Sequence, residues 1–142
     1  MRALLDVNVL LALLDGDHVD HRRARRFLDG QIGDGWASCA ITENGFVRVI
    51  SQPRYPSPVA PALAIERLAR ACAGPAHVFW SCDVTVLDHT VLDRTRVLGP
   101  RQVTDAYLLA LAVRHGGCFA TFARSVPLAA VPGATADHLV VV

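Results

Sequence analysis

Apolar positions fall into short runs that alternate with helical stripes. Met1–Leu5 is a brief apolar run ended by Asp6, the pattern of a buried strand. Val7–Leu14 is apolar on all sides until Asp15-Gly16-Asp17 breaks it. His18–Ile32 predicts a polar helix, with Arg22, Arg23, Arg25 and Arg26 outside and Ala24, Phe27 and Leu28 inside. Trp36–Ala40 reads as a second strand and Thr42–Ile50 as a helix. Four prolines make Gln52–Pro61 a loop. Ala62–Ala73 is an amphipathic helix closed by Gly74-Pro75, and Val78–Ser81 a strand. Asp88–Leu98 predicts a weaker helix and Thr104–His115 a strong one, stopped by Gly116-Gly117. Cys118–Phe122 and Leu139–Val142 complete the strands. Short apolar strands between helices predict a mostly parallel sheet covered on both faces. One such domain accommodates all of residues 1–142. No apolar run reaches the length of a membrane span, and nothing at the start resembles a secretion signal, so a cytoplasmic protein is expected.

Sheets of this kind carry their sites beyond the carboxyl ends of the strands, so acids placed there matter most. Asp6 follows the first strand, where it would also serve as an ordinary helix N-cap. Glu43 and Asp105 each follow a threonine near a helix start, and apolar residues recur at i+3, i+4 and i+7 behind each. Both acids therefore lie on the apolar stripe of their own helix, where a solvated charge is out of place. A threonine cap with a dipole-stabilised acid explains the first turn but not the inward face. Converging carboxylates must protonate or bind a cation. All-oxygen donors point to Mg2+ or Mn2+, which would assist the attack of water on a phosphodiester.

Composition narrows the chemistry. The chain has 14 Arg and no Lys, 11 Asp and only two Glu. Without lysine, Schiff-base catalysis and the lysine-bearing phosphate loop are excluded. A net charge of +1 gives no chain-wide basic field, so any nucleic-acid contact must come from local arginines. Arg22–Arg26 is the densest cluster; it fits a solvated helix face as well as phosphate or partner contact. Cys39, Cys72, Cys82 and Cys118 form no C-x-x-C pair and read as reduced, mostly buried thiols. No histidine pair has metal-ligand spacing, which disfavours zinc. No serine has the G-x-S-x-G setting of a hydrolase nucleophile. A mean hydropathy of +0.33 leaves room for an exposed apolar patch and a partner.

The segments L-L-D-V-N-V-L-L (Leu4–Leu11), I-T-E-N-G-F-V-R-V (Ile41–Val49), V-T-D-A-Y-L-L-A-L-A (Val103–Ala112) and A-T-F-A-R-S-V (Ala120–Val126) resemble the motifs of PIN-domain nucleases. They are most similar to the VapC-type ribonuclease toxins of toxin–antitoxin pairs. The resemblance implies a three-layer α/β/α sandwich with a short, mostly parallel sheet. It implies Asp6, Glu43 and Asp105 as metal-binding and catalytic carboxylates, with Asn8, Thr104 and Thr121 supporting them. It also implies an RNA substrate of the tRNA or rRNA class, a VapB-type antitoxin and a homodimer. Arg48 and Arg54, flanking the proline-rich loop, are candidates for substrate phosphate. Ala123 departs from the family, which usually has an aspartate there. Its methyl group donates no oxygen, so a weaker second metal and slower cleavage are expected. The departure keeps a second reading open, an impaired module that binds RNA or antitoxin without turnover. The run Asp6-Val7-Asn8-Val9 also resembles a phosphatase motif, but Asn8 cannot act as its acid and no lysine is present.

Overall fold

A computed structural model describes Met1–Val142. Its sheet has five strands: β1 (Ala3–Leu5), β2 (Trp36–Cys39), β3 (His77–Trp80), β4 (Cys118–Thr121) and β5 (Leu139–Val141). Their order is β3-β2-β1-β4-β5, and every pairing is parallel. The helices are α1 (Val7–Leu14), α2 (His21–Gln31), α3 (Ala40–Ile50), α4 (Pro61–Cys72) and α5 (Gln102–Arg114). The expected α/β architecture is present.

Strand alternation builds two cores. Ala3, Leu5, Trp36, Cys118 and Ala120 face α1, α3 and α4, where they meet Leu10, Phe46, Ile50 and Leu68. Leu4, Ala37, Cys39 and Phe119 point the other way, against α5 and the carboxyl-terminal loops. β1 is fully buried and central, which explains its unbroken apolar run. The run Val7–Leu14 is apolar all round because it packs under both α2 and α3 as well as the sheet. From β1 the strand order runs to β2 and β3 on one side and to β4 and β5 on the other, so it reverses between β1 and β4. The crevice of such a sheet opens at that reversal.

Three local expectations need correction. Asp88–Leu98 is not a helix; it holds turns and one 3-10 turn at Arg94–Arg96. The Asp88 carboxylate accepts the Thr90 N–H at 2.8 Å, and Asp93 accepts that of Thr95 at 3.0 Å. Such local side-chain bonds replace helical ones. The threonines before Glu43 and Asp105 are not N-caps. Thr42 lies inside α3 and accepts the Cys39 N–H at 3.0 Å, while Thr104 is the third residue of α5. Only Cys39 and Cys118 are buried; Cys72 is half-buried and Cys82 exposed.

Candidate active site

Asp6 occupies the end of β1 and caps α1. Its Oδ1 accepts the Val7 N–H at 2.7 Å, as the extended backbone at Asp6 allows. Its Oδ2 accepts the Thr121 hydroxyl from the end of β4 at 2.6 Å. That hydroxyl in turn accepts the Asn8 amide at 3.1 Å and the Ala123 N–H at 3.0 Å. Asn8 Oδ1 faces the Phe122 N–H at 3.3 Å. Thr121 thus gives its one proton to Asp6 and fills both lone pairs, which fixes the Asn8 amide as well. The four groups form a closed hydrogen-bonded frame across the β1–β4 junction, and its hub, Thr121, is fully buried.

Asp105 reaches the same place from the first turn of α5. Burial raises its carboxyl above the ordinary value, and the negative charge of Asp6 raises it further. Asp6, only 8% exposed, is also raised by burial, against the hydrogen bonds from Thr121 and Val7. No ion pair in the molecule includes either acid. Two neighbouring carboxylates in a partly dry crevice with no cationic partner, and with oxygen donors alone, fit a hard divalent cation.

Glu43 keeps different company. Its Oε1 accepts the hydroxyl of buried Ser38 at 2.6 Å, and Ser38 Oγ lies 2.8 Å from His77 Nε2. Ligand atoms of Glu43, Cys72 and His77 all lie within 4.8 Å of one another. The reason is helical phase. Gly45 is the α3 residue turned toward α1, where an added Cβ would meet Val7 Cγ2 at 2.5 Å. Glu43 is two residues earlier, about 200° round the helix. It therefore turns toward α4 and the β2–β3 flank. The structure brings the charge of Asp6 to bear on Asp105 and bonds Glu43 to Ser38.

The remaining candidates are dispersed. Thr104, Arg48 and Arg54 are exposed. The methyl of Ala123 packs beside the second core, where a carboxylate was expected by resemblance. Asp83 cannot stand in for it. It pairs with His115 at 3.1 Å and Arg114 at 3.8 Å, at the far end of α5, about 15 Å from Asp105 by helix rise. One residue near the site was not singled out from the sequence. Arg23 stacks over the Phe122 ring at 5.1 Å, which carries a positive charge from α2 to the edge of the Asn8–Phe122 contact. Only its place in the arginine cluster signalled it. Ser38, His77 and Cys72 were also unassigned, because their meeting depends on strand register and the α4–β3 turn.

A parallel sheet with paired acids at its reversal point defines a class. The PIN domain family model matches residues 3–126, and the chain belongs to that family. Among characterised relatives, Ribonuclease VapC44 of Mycobacterium tuberculosis is 69% identical over 139 residues, 98% of each chain. Ribonuclease VapC39 of the same organism is 43% identical over 123 residues, 86% of this chain and 88% of that one. Ribonuclease VapC38 is 43% identical over 121 residues, 84% of each. No helix is long and apolar enough to cross a membrane.

Proposed function

We infer that this protein is a divalent-metal-dependent endoribonuclease toxin that hydrolyses RNA phosphodiesters. The observation that carries the reading is the uncompensated Asp6–Asp105 pair at the β1–β4 reversal, in a chain 69% identical to a named ribonuclease. Asp6 and Asp105 are the residues that would hold the ion, and their oxygen donors suit Mg2+ or Mn2+. A bound ion of this kind neutralises charge developing at a phosphodiester and acidifies water. The chain's own contribution is orientation. Thr121 and the Val7 N–H hold the Asp6 carboxylate in one pose, and Asn8 is fixed beside it. Arg23, with Arg48 and Arg54 as more remote contacts, would take RNA phosphates. Single-stranded loops of tRNA or rRNA suit a cleft that reaches the backbone from one side.

In this reading Glu43 would join Asp6 and Asp105 as a third acid, with its Oε1 held by Ser38. The methyl of Ala123 leaves the pair one carboxylate short for a second ion, so turnover is slow. That same observation supports the alternative of a binding module. A VapB-type antitoxin covering the acidic cleft, a homodimer and a cytoplasmic setting complete the proposal. The test is cleavage of total RNA with Mg2+ or Mn2+ against a chelator control, using the natural chain, Asp6→Asn and Ala123→Asp. The reading expects metal-dependent cutting, lost in Asp6→Asn and faster in Ala123→Asp. RNA affinity without cutting by either active form would favour the binding module. Absence of both cutting and divalent-ion binding would overturn the nuclease.

A further inference from the structure

We propose that His77 is a positioning residue for the third acid and acts through Ser38: its Nε2–H fills a lone pair of the Ser38 hydroxyl and so commits that hydroxyl's one proton to Glu43. This role rests on the nuclease reading and deepens it, because it names what orients Glu43 toward a divalent cation. Ser38 Oγ lies 2.6 Å from Glu43 Oε1 and 2.8 Å from His77 Nε2. A serine hydroxyl has one proton to give and two lone pairs to fill, whereas an ionised carboxylate only accepts. A neutral imidazole presents Nε2 either as an N–H or as a lone pair. As an N–H, it donates to Ser38, and the serine proton goes to Glu43. As a lone pair, it would compete with Glu43 for that proton.

Strand register brings the three groups together. Trp36 and His77 are partners in the parallel β2–β3 pairing, and Ser38 lies two residues beyond Trp36, on the same face of the sheet. That face meets α3, whose first turn carries Glu43. Ser38 is wholly buried, which keeps bulk water from its hydroxyl. The Trp36 ring, 4.4 Å from the His77 ring and tilted by 56°, limits the rotation of the imidazole. The same device stands on the other flank of β1. There the Thr121 hydroxyl gives its proton to Asp6 at 2.6 Å and accepts the Asn8 amide at 3.1 Å. His77 is to Ser38 and Glu43 what Asn8 is to Thr121 and Asp6. In both, a nitrogen donor, a buried hydroxyl and a carboxylate form a line of bonds that all point one way, the outer contacts that orient a metal-ligating acid. Ser38 holds Oε1, so a cation would be met by Oε2 of Glu43.

Two measurements on the full chain test the relay. The first is the nitrogen NMR spectrum of the histidine rings at neutral pH, which tells Nε2–H from Nδ1–H; His77 is expected to carry Nε2–H. The second is Mn2+ affinity by calorimetry, read beside RNA cleavage. His77→Ala should weaken Mn2+ binding by about tenfold. His77→Gln, whose amide donates from the place of Nε2, should recover most of that loss, a rescue that a packing role would not give. Ser38→Ala should weaken binding at least as much as His77→Ala, and the double variant no more than Ser38→Ala alone, because the two residues act in series. An Nδ1–H ring in the natural chain overturns the relay, and that result requires no variant to fold. So does a His77→Gln as weak as His77→Ala, or a His77→Ala loss that persists beside Ser38→Ala. Each of these leaves the nuclease standing so long as the natural chain binds Mn2+ and cuts RNA. A natural chain that does neither overturns both.

Discussion

The two flanks of β1 carry side-chain clusters of opposite chemical character. On the β4 side, Asp6, Asp105, Asn8 and Thr121 present oxygen donors, and the charge of Asp6 raises the cost of ionising Asp105. On the β2–β3 side, Glu43 meets a hydroxyl, an imidazole and a thiol. Each cluster contains an acid at the start of a helix. The difference lies in what the strands and neighbouring helices bring to that acid. A carboxylate beside a carboxylate makes a hard, electrostatically unsatisfied crevice, whereas a carboxylate on a serine hydroxyl is already accommodated.

The sharpest way to break this contrast is to neutralise one acid from each flank. Asp6→Asn is expected to lower the initial rate of RNA cleavage by about 10^2–10^3-fold, the scale seen when one strong charge-stabilising group is lost. Glu43→Gln should lower it less, by about tenfold, because Ser38 already holds one of its oxygens. Equal losses in the two variants would show that Ser38 does not set Glu43 apart.

The frames holding each flank are next in size. Thr121→Val removes the hydroxyl shared by Asp6, Asn8 and the Ala123 N–H, and should cost about 1–3 kcal/mol in urea unfolding. Gly45→Ala drives a methyl into Val7 Cγ2 and should cost about 1–3 kcal/mol. If Gly45→Ala is neutral, the packing that turns Glu43 away from α1 is looser than described. Arg23→Ala should weaken RNA binding by up to about tenfold and lower the slope of log affinity against log salt by about one.

The smallest effect has a sign that distinguishes the flanks. The Asp105 carboxyl is held above its ordinary value by burial and by Asp6. Its contribution to stability is therefore full below the ordinary aspartate range and is lost as pH rises through the raised value. Asp105→Asn should stabilise the metal-free protein at neutral pH, by less than about 1 kcal/mol because solvent reaches one side of the group. Added Mg2+ or Mn2+ should stabilise the natural chain and not this variant. Thermal unfolding at pH 4 and pH 7, with and without the ion, measures both.

Most elements could be read from the sequence because their signals are local. The run at β1, the stripe of α4 and the Gly116-Gly117 stop after α5 each require only neighbouring residues. Asp6 and Asp105 stood out as candidate acids for the same reason: one follows a buried strand, and the other interrupts the apolar stripe of a long helix. Glu43 had the same local signature, and its meeting with Ser38 was not legible. Periodicity says that a residue points inward, but α3 has α1 on one inner side and α4 with the β2–β3 flank on another. The choice was made by Gly45, whose lack of a side chain lets α3 approach Val7. The failed helix at Asp88–Leu98 has a simpler cause. Asp88 and Asp93 bind the N–H groups two residues ahead, and apolar spacing does not register that competition. Linear spacing also hid the meeting of Cys72 with His77, which the α4–β3 turn brings about.

The bond from Thr121 to Asp6 spans 115 residues of chain. During synthesis at about 5–20 residues per second, Asp6 therefore emerges roughly 6–20 s before its partner. β1 cannot acquire β4 until then, and a ribosome-bound fragment ending before α5 has half of the acidic pair and none of the threonine hub. Translation order thus acts as a safety catch: an interrupted chain is born disarmed.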